Sequence, residues 1–136
     1  VGIMGFSAGG SLSARLSTEY NTESYPEIDQ THPVSARPDF ALLIYPAYLD
    51  KGSNHSLTPE LNVDSTTPPM FIFQTADDPY GHSSLVMANA LRKADIPVEM
   101  HLYPTGGHGY GLRKDNPAGK TWPRLAEKWL TKILNQ

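Results

Sequence analysis

Ser7 lies in Gly5-Phe6-Ser7-Ala8-Gly9-Gly10. Further along the same chain come an acidic pair, Asp77-Asp78, and a histidine among glycines, His108. A serine hydroxyl is a weak nucleophile. An imidazole that takes its proton activates it, and a carboxylate behind the imidazole orients the ring and stabilises its charged form. Ser, Asp, His is one of the chain orders in which such a set of three occurs. The Gly-x-Ser-x-Gly pattern is that of a nucleophile elbow, a sharp strand-to-helix turn that lifts the hydroxyl out of a sheet. Its neighbours fit: Val1-Gly2-Ile3-Met4 reads as a short strand, and a helix is expected from Ala8. The flanking glycines leave room for a strained backbone. The helix start leaves backbone N–H groups free for a developing oxyanion, and that of Ala8, the residue after the serine, is the expected donor.

His108 falls in Pro104-Thr105-Gly106-Gly107-His108-Gly109-Tyr110-Gly111, where glycines let a tight loop carry the ring over the elbow. Asp77 is the expected acid. Adjacent strand-end residues point in different directions, so Asp78 is the alternative, expected to cap the helix that follows. Asp50, after another buried strand, comes third. His32 and His55 sit in polar loops, His101 on the less apolar face of its strand, and His82 close enough to the acid to reach the rim of a site. A metal site built from His101, His108 and a carboxylate matches no common ligand spacing, so none is expected. The serine chemistry implies no cofactor.

These groups need a scaffold of strands and helices. Phe40–Tyr45 is a continuous apolar run, as in a strand buried on both faces, and Met70–Thr75 reads as another buried strand. Val98, Met100 and Leu102 alternate with Glu99, His101 and Tyr103, which predicts a strand with unequal faces. Leu12, Leu16 and Tyr20 share one face of the helix after the elbow, and Met87, Leu91 and Ala94 align along a helix over 84–94. Trp122, Leu125, Ala126, Trp129, Leu130 and Ile133 form a stripe at helical spacing that belongs in a core. Residues 21–38 and 50–67 read as polar loops. The resulting order predicts an α/β layer fold with a mostly parallel sheet and its chemistry at the strand ends.

The chain has 136 residues, 39% hydrophobic and 18% charged, enough for the core of one domain. A net charge of -3 gives no electrostatic reason to expect nucleic acid or an anionic membrane as partner. No apolar run reaches the length that spans a bilayer. The absence of cysteine excludes disulfides, cysteine zinc sites and thiol catalysis without deciding the compartment. An elbow strand is ordinarily a central strand, and here nothing precedes it. Residues 1–136 are therefore expected to be a partial domain that starts inside the elbow strand, and a poor enzyme by itself.

Taken together, Gly5-Phe6-Ser7-Ala8-Gly9-Gly10, Arg37-Pro38-Asp39-Phe40, Tyr45-Pro46, Thr67-Pro68-Pro69-Met70-Phe71, Thr75-Ala76-Asp77-Asp78-Pro79 and Gly106-Gly107-His108-Gly109 resemble the C-terminal half of an α/β-hydrolase. The resemblance is to the group spanning dienelactone hydrolases, acetyl-xylan and feruloyl esterases, and the catalytic domains of prolyl oligopeptidases. It implies a triad of Ser7, Asp77 and His108, with the first aspartate of the pair as the acid. It also implies a carboxylic ester substrate, with short acyl esters of carbohydrates expected ahead of peptides. Tyr80 departs from the pattern, which usually has an apolar residue after the acidic pair, and so does the absence of an upstream oxyanion loop.

Overall fold

The computed structural model describes residues 1–22, 26 and 34–135. The expected loop over 21–38, with His32, lies largely outside the described residues. The chain runs β1 (Gly2–Phe6), α1 (Ala8–Glu19), β2 (Phe40–Ile44), β3 (Met70–Thr75), α2 (His82–Lys93), β4 (Val98–Tyr103) and α3 (Pro117–Leu134). The strands form one sheet in the order β1-β2-β3-β4, and every pairing is parallel. All four C-terminal ends therefore open on the same edge, where residues from distant parts of the chain can meet.

Alternation along the buried strands builds two cores. Ala41, Leu43, Met70 and Ile72 face one way, packing with Ala14 of α1 and Met87 and Leu91 of α2. Leu42, Ile44, Phe71 and Phe73 face the other, under Trp122, Ala126 and Trp129 of α3. With helices on both faces, β2 and β3 must be apolar on both, which is why β2 is an unbroken hydrophobic run and β3 opens with one, Met70–Phe73. The Trp122 stripe is core, as its spacing predicts. α3 starts where Asn116 accepts hydrogen bonds from the N–H groups of Ala118 and Gly119, with Pro117 at its first position.

α1 departs from expectation in its buried face. Gly10, Ser11, Ser13, Ala14 and Ser17 are buried, whereas Leu12 is 67% exposed. Small side chains bring this helix close against the sheet: a Cβ on Gly10 would lie 2.9 Å from Pro46 Cα. The buried hydroxyls of Ser13 and Ser17 donate to the carbonyls of Gly9 and Ser13, so the small polar face costs little to bury. In β4 the less apolar face is covered: His101 lies 5.5 Å from the Phe71 ring and Tyr103 stacks on Phe73, while Leu102 is exposed. Among the described residues no helix is long and apolar enough to cross a membrane.

Candidate active site

Ser7 follows β1 directly and caps α1 with φ 53 and ψ -118, a conformation an L-residue rarely adopts and one that costs about 1–3 kcal/mol. Its backbone is fixed from three sides. Its N–H donates to Ile44 O, and its carbonyl accepts from Ala47 N and Ser11 N. The turn leaves no room for a side chain at Gly5, whose Cβ would lie 2.0 Å from Gly9 O. Gly9, by contrast, has open space around it. Ser7 makes no side-chain cap bond to the helix. Its hydroxyl instead donates to His108 Nε2 at 2.7 Å. Ala8 is the first residue of α1, so its N–H has no carbonyl partner within the helix.

His108 Nδ1–H donates to Asp78 Oδ2 at 2.8 Å. The sequence expectation of Asp77 in this position is therefore corrected: the carboxylate behind the imidazole belongs to Asp78. The reason lies in the turn after β3. Asp78 is buried, and Gln74 Nε2 donates to its Oδ2 at 2.8 Å, while the Tyr80 N–H donates to its Oδ1 at 2.8 Å. Asp77 points outward and accepts from the N–H groups of Gly106 and Gly107 at 3.2 and 2.9 Å. The Gly107 bond, then the Gly106 bond, hold its carboxyl below the usual aspartate range. Asp77 thus anchors the loop that carries His108 rather than the ring itself. Asp50 faces elsewhere, accepting from Ser83 Oγ at 2.9 Å with His55 Nδ1 at 3.5 Å. His82 opens α2 and packs against His55, and His101 pairs with Glu99 at 2.9 Å.

Several residues that sequence reasoning missed complete the support. Gln74 is fully buried, and its Oε1 accepts from the Ser84 hydroxyl at 2.7 Å, so the amide is fixed in the orientation that serves Asp78. A glutamine inside an otherwise apolar strand was the available signal, because a buried amide needs partners. Thr75 Oγ1 donates to Gly107 O at 2.6 Å, and Asn116 Nδ2 donates to Gly106 O at 3.0 Å. Gly106 has φ 150, and a Cβ there would lie 2.7 Å from Ala118 Cβ, so space and backbone conformation both require glycine. Tyr45 packs edge-on to His108 at 5.1 Å, and its hydroxyl accepts from Gly111 N. Burial raises the Tyr45 pKa and, more strongly, that of Tyr110 beside it.

A sheet of parallel strands with helices on both faces, a strained serine at the turn from β1 to α1, an acid after β3 and a histidine after β4 define the α/β-hydrolase fold. Residues 1–136 match the prolyl oligopeptidase family along their whole length, and the chain belongs to that family. It is 30% identical over 135 residues to endo-1,4-beta-xylanase B of Butyrivibrio fibrisolvens, an alignment covering 83% of this chain and 21% of that protein. It is also 30% identical to an acetylxylan esterase of Xylanibacter ruminicola, covering 82% of this chain and 26% of the relative. Among solved structures it is similar to an acetyl ester-xyloside bifunctional hydrolase from Caldicellulosiruptor lactoaceticus. That match has TM-score 0.82 and 33% identity, and it covers 97% of this chain and 56% of the other. The chain thus spans about a quarter or less of these curated relatives and about half of this solved structure.

Proposed function

We propose that the protein is a serine hydrolase that cleaves carboxylic esters, with short acyl esters of carbohydrates as substrates. The observation that carries this reading is the continuous hydrogen-bonded chain from Ser7 through His108 to Asp78. Asp78 keeps the proton on Nδ1, which leaves Nε2 free to take the Ser7 proton as the oxygen attacks the ester carbon. The Ala8 N–H donates to the oxyanion of the tetrahedral intermediate. As the intermediate collapses, His108 returns that proton to the departing alcohol, leaving an acyl group on Ser7. A water molecule that gives its proton to His108 then attacks the acyl carbon. Loss of the serine alkoxide, reprotonated by His108, releases the acid and restores Ser7. The names of the acetylxylan esterase and the acetyl ester-xyloside hydrolase favour acetyl groups on xylose-based carbohydrates.

Membership of the prolyl oligopeptidase family supports a second reading, a serine peptidase using the same residues. Assay of the natural full-length protein on acetylated xylan, p-nitrophenyl acetate and a prolyl peptide separates the two. Release of acetate that Ser7→Ala abolishes, with little peptide cleavage, is expected. Cleavage of the peptide without acetate release would reverse the order.

A further inference from the structure

Two tyrosines outside the proton chain stand beside it. Tyr80 follows Asp78 by two residues, and its ring centre lies 4.7 Å from that of His108, with the planes at 55°. Tyr48, in the loop after β2, meets Tyr80 edge-on with ring centres 5.7 Å apart. Both rings remain exposed, at 39% and 43%, so they form surface rather than filling a core. Tyr48 is held at φ 62, a left-handed conformation that costs an L-residue about 1–2 kcal/mol. Its carbonyl accepts from Thr58 Oγ1 at 3.0 Å, and the Lys51 ammonium lies 5.4 Å from its ring centre. Strain of this kind persists only where the surroundings impose it, and it gathers at functional sites.

We infer that Tyr80 and Tyr48 form a wall that binds the sugar ring on the alcohol side of a carbohydrate ester, an assignment that rests on the esterase reading above. The side is set by His108. The imidazole that hands its proton to the departing alcohol must lie next to that alcohol, and Tyr80 is in contact with the imidazole. The ring of a β-linked xylopyranoside carries only axial C–H bonds on its faces, its substituents being equatorial. These polarised hydrogens pack well on the electron-rich face of tyrosine. A tyrosine has two side-chain torsions, so little entropy is lost when a ligand fixes it. The phenolic hydroxyls and the Lys51 ammonium can meet the hydroxyl rim of the sugar.

The test compares an acetylated xylo-oligosaccharide with ethyl acetate, whose alcohol has no ring to stack, in the natural full-length protein and its Tyr80→Ala and Tyr80→Trp variants. Tyr80→Ala keeps the backbone N–H that serves Asp78. The expected result is a loss of kcat/KM on the oligosaccharide at least about fivefold greater than on ethyl acetate, expressed in KM and restored by Tyr80→Trp. Equal losses on the two esters, or none, would overturn the wall and leave the esterase reading standing. A protein that hydrolyses neither acetate would overturn both. Selective loss on a prolyl peptide would move the wall's ligand from sugar to peptide and overturn the assignment.

Discussion

Replacing Asp78 by asparagine changes one atom and separates the two neighbouring acids. Asp78 Oδ2 accepts from His108 Nδ1 and Gln74 Nε2, and Oδ1 accepts from Tyr80 N. An amide has one acceptor oxygen where the carboxylate has two. If the oxygen takes the Oδ2 position, the NH₂ group faces the Tyr80 N–H and the negative charge behind the imidazole is gone. If the NH₂ group takes that position, it confronts Gln74 and forces the imidazole proton onto Nε2, where it cannot accept from Ser7. Either outcome should lower kcat by about 10³–10⁴, as expected when the orienting carboxylate of such a triad becomes an amide, or about 4–5.5 kcal/mol of activation free energy. Asp77→Asn keeps an acceptor for one of the two glycine N–H groups that Asp77 holds, and should cost less than about tenfold. The assay is steady-state hydrolysis of p-nitrophenyl acetate by the full-length protein and both variants, with circular dichroism to establish that each is folded. A folded Asp78→Asn with near-normal turnover, or an Asp77→Asn loss of equal size, would refute the assignment of Asp78.

Three further outcomes follow from the packing. Gly5→Ala places a methyl 2.0 Å from the Gly9 carbonyl oxygen and should destabilise by at least about 1–3 kcal/mol. Gly9→Ala, in open space near the start of α1, should instead stabilise by about 0.5 kcal/mol, and thermal unfolding of the two variants gives the comparison. Tyr110 is fully buried and its hydroxyl has no partner among the described residues, so Tyr110→Phe should raise stability by about 1 kcal/mol. A fall in denaturant midpoint for that variant would show that the hydroxyl is hydrogen-bonded after all.

The layer architecture was readable because burial on both faces leaves a plain mark: Phe40–Ile44 and Met70–Phe73 contain no charge, and the Trp122–Ile133 stripe repeats at helical spacing. Ser7 and His108 were readable because glycines flank both, and such turns need them. The choice between Asp77 and Asp78 was not, since it depends on donors brought in by other elements. Gly106 and Gly107 capture one carboxylate, and Gln74 and His108 capture the other. The buried face of α1 was hidden for a different reason. Spacing draws attention to Leu12 and Leu16, whereas close approach to the sheet selects the small residues Gly10, Ser13, Ala14 and Ser17. Tyr80 stood out in sequence as a departure from the family pattern, but its contact with His108 appears only in three dimensions.

The most direct measurement of the central claim is labelling of the full-length protein with a fluorophosphonate, followed by intact mass and peptide mapping. One adduct per chain, on Ser7, is expected, because among the described residues this serine hydroxyl is the one bonded to an imidazole backed by a carboxylate. It should vanish in Ser7→Ala and form far more slowly in Asp78→Asn. An adduct on another serine, or labelling that persists unchanged in Ser7→Ala, would contradict the assignment of Ser7 as the nucleophile.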